Sequence, residues 1–334
     1  MIDINAMDRR RRRMLQSLMA AALPAGWSGG SLATPPWPPR PLRRVVGFPP
    51  GSSPDALART VADPLSRALG QPVIVDNKPG AGGTIGVDAV AKASDGHTIG
   101  LTGNGPLTTA KLLNSKLPFD VARDLRPISL VASSPFVLVA GSANPATDLP
   151  ALVAYARAKG ERLNYGSIGL GTGSHLTMEL LKSLTGIRPV HIPFSGFPQV
   201  VTAIIGGEID LAFLVPSIAV PQARSGRLRI YGTSSASRVA AFSEIPPIAE
   251  VLRLPGFDVA AWNGIFGPAS MPPANVLRLA QEITAIVKSP ETRQRLFDQG
   301  WQALGTAPEG MARKIREDTR VWGDIIRLTG IRRE

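Results

Sequence analysis

Arg43-Arg44-Val45-Val46-Gly47-Phe48-Pro49-Pro50-Gly51-Ser52-Ser53-Pro54-Asp55 sets a strand, a small-residue loop and a helix start in immediate succession. Residues 43–48 read as a short buried strand centred on Val45 and Val46, ended by Pro49 and Pro50. Residues 56–69 read as a helix, because Leu57, Val61, Leu65 and Leu69 recur every four residues on one face. Ser53 or Asp55 suits its N-cap and Gly70 its stop. Pro64 falls inside it and predicts a kink or an early end.

The unit recurs downstream. Residues 163–167 read as a strand, 168–174 as a Gly-rich loop, and 175–185 as a helix with Leu176, Leu180, Leu181 and Leu184 apolar. Further strands are predicted over 72–76, 98–102, 190–193, 209–214, 229–233 and 263–267. Helices are predicted from the turn at 79–83 to about 93, and over 200–205, 274–287, 290–299 and 308–328. Strands alternating with helices imply an α/β protein with largely parallel sheets flanked by helices. At 334 residues the chain exceeds what one core of roughly 250–300 residues holds, so two lobes are expected.

Composition narrows the chemistry. There is no cysteine, which excludes disulfides, thiolate metal sites, cysteine nucleophiles and a lipid-modified N-terminal cysteine. The formal charge is +12, of which residues 1–33, with five Arg and two Asp, supply +3. The remainder is dispersed, with no basic run interleaved with aromatics after Arg44, so a nucleic-acid partner is not expected. Arg9 to Arg13 precede a short apolar stretch at 14–22, and Ser31-Leu32-Ala33 offers a small-residue cleavage site. That order is a secretory signal, too short to span a bilayer, and Arg11-Arg12-Arg13-Met14-Leu15 resembles a twin-arginine version of one. Residues 34–42 read as a stiff Pro-rich linker. The expectation is an exported, soluble periplasmic protein.

Each Gly/Ser loop opens a helix. A helix N-terminus carries unsatisfied N–H groups and partial positive charge, so it accepts a carboxylate without an arginine. Two such ends across a cleft could hold the two ends of a diacid, with Ser52, Ser53, Ser167, Thr172 and Ser174 adding hydroxyls. A structural turn is the alternative for either loop taken alone.

At this point the residues resemble a known family. Phe48-Pro49-Pro50-Gly51…Asp55-Ala56-Leu57-Ala58-Arg59, Val75-Asp76-Asn77-Lys78-Pro79-Gly80-Ala81-Gly82-Gly83, Asp95-Gly96-His97-Thr98, Tyr165-Gly166-Ser167…Gly169…Gly171 with His175-Leu176, His191-Ile192-Pro193-Phe194…Gly196, Gly206-Gly207-Glu208-Ile209-Asp210 and Gly267-Pro268-Ala269…Pro272 follow, in order, the motifs of the tripartite tricarboxylate transporter substrate-binding proteins, the Bug family. The resemblance covers about residues 43–331. It implies a two-lobed type II periplasmic-binding fold with a ligand cleft between the lobes. Lobe one would comprise 43–142 and 262–334, and lobe two 143–261. It implies capture of a di- or tricarboxylate or related organic acid, gripped largely by backbone N–H groups. The implied partners are the large and small membrane subunits of a tripartite transporter. The implied contacts are Phe48, Gly51, Ser52, Ser53 and Asp55 in lobe one, and Ser167, Gly169, Thr172, Gly173, Ser174 and His175 in lobe two. Thr102, Asn104, Ser195 and Asp210 are expected near the cleft. Two departures bear on ligand identity: Ser52 replaces a usual glycine, and Phe194-Ser195 a usual Tyr-Lys pair.

Enzyme readings fare less well. Tyr165 stands two residues before Ser167, so the Gly-x-Ser-x-Gly elbow is not formed, and Ser-x-x-Lys does not occur. The histidines, His97, His175 and His191, have no helical metal-binding spacing. His175 beside Ser174 could act as a base, but a first-turn histidine is more often a packing or capping residue. No cofactor and no metal are expected, and the protein is read as a monomeric binding protein and not an enzyme. An orphan binder presenting its ligand to a sensor is the alternative, and a hydrolase the third reading.

Overall fold

The structure, a computed structural model, describes residues 37–331, so the predicted signal segment and residues 34–36 of the Pro-rich linker lie outside the described residues. Strand β1 (Leu42–Val46) forms where apolar Leu42, Val45 and Val46 bury against both faces of a sheet. It pairs in parallel with β2 (Val73–Asn77) and β3 (Thr98–Gly103). The chain then makes β4 (Leu125–Pro135), passes Phe136, and continues as β5 (Val137–Gly141). Next come β6 (Asn164–Ser167), β7 (Val190–Pro193), β8 (Leu211–Leu214), β9 (Leu228–Thr233), β10 (Ala260–Pro268) and the short β11 (Gln302–Ala303).

Two sheets result. The first has the order β11-β4-β10-β3-β1-β2, the second β7-β6-β8-β5-β9. Each is parallel in one part, β2-β1-β3 and β7-β6-β8, and antiparallel where the crossing strands join it. The antiparallel part arises because β4, β5, β9 and β10 carry the chain from sheet to sheet and back. Strand β5 pairs with β8 and β9, so the chain changes sheet at Phe136, earlier than the expected boundary at 142. It returns between Thr233 and Ala260. Ser234 ties the two crossings together. Its Oγ accepts from the Phe136 N–H at 2.8 Å and donates to the Val259 carbonyl at 2.6 Å.

Helix Ser53–Leu69 covers one face of the first sheet with Leu57, Val61, Leu65 and Leu69 buried, and ends at Gly70 in the left-handed conformation. It runs unbroken past Pro64. The carbonyl that loses a partner there belongs to Thr60, on the half-exposed side of the helix where water can bond it. Arg44, on the same face of β1, is fully buried, and its Nη1 donates to the Ala58 carbonyl at 2.7 Å. The opposite face holds Val45, Val87, Leu107, Phe119, Trp262 and Phe266. Among the described residues no helix is long and apolar enough to cross a membrane. The C-terminal helix Pro308–Thr329 packs on β4 and on helix Gly173–Thr185, which flanks the second sheet. Its Asp318 accepts from Trp262 Nε1 at 2.5 Å and from Lys314 Nζ at 2.8 Å.

Candidate functional site

The loop after β1 is held by one carboxylate. Asp55 accepts from the Gly51 N–H at 3.0 Å, from Arg59 at 3.0–3.2 Å, and from Asn77 Nδ2 at 2.9 Å. Asn77 Nδ2 also donates to the Phe48 carbonyl at 2.9 Å. Burial of Asp55 pushes its pKa up, but the bonds from Arg59, Gly51 and Asn77 outweigh that and hold it below the usual carboxylate value. Asp55 is therefore turned into its own loop, as a clamp. Gly51, at φ +77°, lies at the exposed tip with open space where a Cβ would stand. Ser52 caps the helix through its backbone, and its Oγ is buried without a hydrogen-bond partner.

The loop after β6 is held by neutral groups. Ser167 Oγ accepts from the Gly169 N–H at 3.1 Å, Ser174 Oγ from the Ile168 N–H at 3.3 Å, and Thr172 Oγ1 donates to the Gly169 carbonyl at 2.7 Å. The Gly171 N–H donates to His175 Nδ1 at 3.2 Å, which requires an unprotonated Nδ1. His175 thus bonds Gly171, and the geometry brings Ser167 Oγ within 2.6 Å of His191 Nε2. Burial, followed by repulsion from Lys182, lowers the His175 pKa to about 4. Burial, then His175, lowers that of His191 to about 3, with Glu179 opposing the fall and Lys182 adding to it. The two rings lie 4.2 Å apart, centre to centre. Behind them Tyr165 donates to Glu179 at 2.5 Å, and Lys182 donates to the same carboxylate at 2.7 Å. Burial and the Glu179 charge raise the Tyr165 pKa, which keeps the phenol protonated.

The second loop meets the turn after β2 and the segment around Thr109, both on the side of the first sheet. Gly169, at φ +123°, approaches Gly82 so closely that a Cβ there would stand 2.9 Å from Gly82 Cα. Thr109 Oγ1 donates to the Gly171 carbonyl at 2.6 Å. Inside this contact lies a small cavity of about 30 Å³. Phe48, Ser53, Asn104, Thr172, Gly173 and Ser174 line it, so the structure brings these expected residues together. Asn104 Nδ2 and Asn263 Oδ1 are buried in its wall without partners. Thr102 Oγ1, beside the cavity-lining Gly103, is also buried and unpartnered.

Other expected residues stand apart from the cavity. Asp210 bonds the Asn164 N–H at 2.8 Å, at the start of β8 and β6, whereas the loop leaves the far end of β6. Ser195 lines an outer groove of about 670 Å³ with Gly82, Ile85, Leu113 and Phe194. Ser167 and His175 form the inner scaffold of their loop. Phe136, Phe197, Trp262, Asn263 and Trp301 also line the cavity and were not anticipated. Phe136 and Trp262 lie at or next to the crossing strands, whose path the local pattern does not reveal. Among the described residues no group of His, Asp and Glu is arranged to hold a metal ion.

Residues 57–331 match the model of the tripartite tricarboxylate transporter family receptor. The chain belongs to that family. It is a member of a group of periplasmic solute-binding proteins. A protein of Pseudomonas sp. (strain P51), described as UPF0065 protein in tcbD-tcbE intergenic region, is 35% identical over 319 residues, covering 95% of this chain and 94% of the relative. The solved structure of R. palustris Rpa4515 with adipate superposes with a TM-score of 0.86 at 30% identity, over 89% of this chain and 99% of that one. MatC from Rhodopseudomonas palustris with bound malate gives 0.82 at 31% identity, over 87% and 100%.

Proposed function

We propose that this receptor-family protein captures a small organic acid anion in the cavity between its two sheets and delivers it to the membrane subunits of a tripartite carboxylate transporter after export to the periplasm. One observation carries the reading. Asn104 Nδ2 and Asn263 Oδ1, buried and unpartnered, stand in the cavity wall beside the N-terminus of helix Gly173–Thr185. Buried polar groups without partners are expensive, by about 1–3 kcal/mol each; a bound carboxylate would accept from Asn104 Nδ2, and a ligand hydroxyl or a water carried with it would donate to Asn263 Oδ1. The helix end supplies N–H donors and partial positive charge to a carboxylate. Phe48, Ser53, Asn104, Thr172, Gly173 and Ser174 are the proposed contacts, and the buried, unpartnered hydroxyls of Ser52 and Thr102, each next in sequence to a lining residue, are proposed to join them. The adipate and malate named for two structural relatives support an acid as ligand.

The test is a thermal-shift screen of organic acids against the purified protein. An acid at 100 times its dissociation constant should add about 2.7 kcal/mol of stability. A screen in which neutral solutes shift the midpoint and no acid does would refute the reading.

A further inference from the structure

We propose that the acid this cavity takes carries a single carboxylate on a short apolar body. This rests on the capture reading above and narrows it. The two helix ends that face the cleft are unequal. In helix Gly173–Thr185 the N–H groups of Gly173, Ser174 and His175 precede the first intrahelical bond, which runs from the Leu176 N–H to the Thr172 carbonyl. In helix Ser53–Leu69, Pro54 removes one donor of the first turn. That turn also carries Asp55, a buried carboxylate already bonded to the Gly51 N–H. The positive end of this helix thus has its anion built in, and a second carboxylate arriving there would face a like charge.

The walls point the same way. Five aromatic side chains, Phe48, Phe136, Phe197, Trp262 and Trp301, line the cavity. Its polar side chains are hydroxyls and the amides of Asn104 and Asn263. Among the described residues none that lines it is ionisable. Of the two basic residues nearest in sequence to the first loop, Arg59 is committed to Asp55 and Arg44 points to the Ala58 carbonyl, and neither lines the cavity. A second carboxylate would be buried against aromatic rings without a cation, and the N–H groups left to meet it, those of Ser53 and Asp55, lie beside the Asp55 carboxylate. A short alkyl body would instead pack on those rings. At about 30 Å³ the space takes a few water-sized groups, so the body is short.

The experiment is isothermal calorimetry of the whole protein at about pH 7, where the carboxylates tested are ionised. Matched pairs isolate the second carboxylate: butanoate against butanedioate, and propanoate against propanedioate. The monoacid of at least one pair should bind at least tenfold more tightly than its diacid. A diacid that binds as tightly as its monoacid or more so, in both pairs, overturns the inference and leaves acid capture standing. Failure of every mono- and diacid to bind overturns both. Asn104→Asp, nearly isosteric, puts a negative charge in the cavity wall and should weaken the monoacid by at least tenfold, with circular dichroism unchanged. Unchanged affinity in that variant would place the acid outside this cavity and overturn the inference.

Discussion

The two strand-to-helix loops share one plan and are fastened by opposite chemistry. Asp55, ionised and paired with Arg59, holds the loop of Phe48 to Asp55. Uncharged hydroxyls and imidazoles hold the loop of Ser167 to His175. The first loop ends in an exposed tip at Gly51, while the second presses Gly169 onto Gly82 across the cleft. The first behaves as a fixed jaw whose helix end is already neutralised. The second keeps its first-turn N–H groups free and lies against Gly82; on the proposed reading those N–H groups meet the ligand and that contact closes the site. Likeness in sequence between two loops therefore does not imply likeness in role.

Glycine substitution breaks the comparison most severely. In Gly169→Ala the new Cβ meets Gly82 backbone at 2.9 Å, at a φ of +123° that side chains avoid. Closure should fail, and acid affinity should fall by about 150-fold, or about 3 kcal/mol. Gly51→Ala meets nothing within 4 Å. Its left-handed φ should cost about 1–2 kcal/mol of stability, with affinity within about tenfold of the parent. Calorimetry and urea titration of both variants measure this. Equal affinity losses would mean that the Gly169–Gly82 contact does not govern closure.

Acid should separate the loops next. His175 and His191 are held neutral with pKa values of about 4 and about 3, well below the unfolded value of about 6.5. The unfolded chain then binds protons that the folded one refuses, so their contribution is full above about pH 6.5 and is lost as pH falls from there toward the folded values. Between about pH 7 and pH 5 the loss should be about 2 kcal/mol for each ring, about 4 kcal/mol for the pair. Asp55 has a lowered pKa, so its clamp weakens only at pH below the ordinary carboxylate range. Urea titrations at the two pH values measure the loss, and imidazole NMR should show both rings untitrated down to about pH 5. Titration of either ring near 6.5 would show that the second loop is open to water.

Much of this frame is legible from residues alone, and the limits have physical causes. Val45 and Val46 between turn formers announce β1, and Gly51-Ser52-Ser53 and Gly169 to Gly173 announce helix entries. Strand β4 is not legible, because Pro127, Ser129, Ser133 and Ser134 break its alternation, and pairing with β10 supplies what local pattern lacks. The aromatic wall is invisible for the same reason: Phe136, Trp262 and Trp301 are distant in sequence and meet only because the chain crosses between sheets. Asp55 and Asp210 look like ligand contacts in sequence. Their partners, the Gly51 and Asn164 N–H groups, are backbone atoms whose availability depends on the fold.

The serines offer the finest discrimination. Ser52 Oγ is buried without a partner, so Ser52→Ala removes no bond within the protein and should leave stability within about 0.5 kcal/mol of the parent. Ser174 Oγ accepts from the Ile168 N–H and lies 3.3 Å from Thr172 Oγ1. Ser174→Ala leaves that buried N–H unpaired and should cost about 1 kcal/mol of stability. Binding should sort differently. If Ser52 Oγ completes its hydrogen bond on the captured acid, Ser52→Ala should weaken affinity by about 1 kcal/mol, roughly fivefold, with stability unmoved. That split is what a purely structural hydroxyl cannot produce, since a structural loss appears in the urea midpoint before it appears in affinity. Unchanged affinity in Ser52→Ala would mean that the first loop meets the ligand through backbone alone, and that the serine at this position is silent in binding.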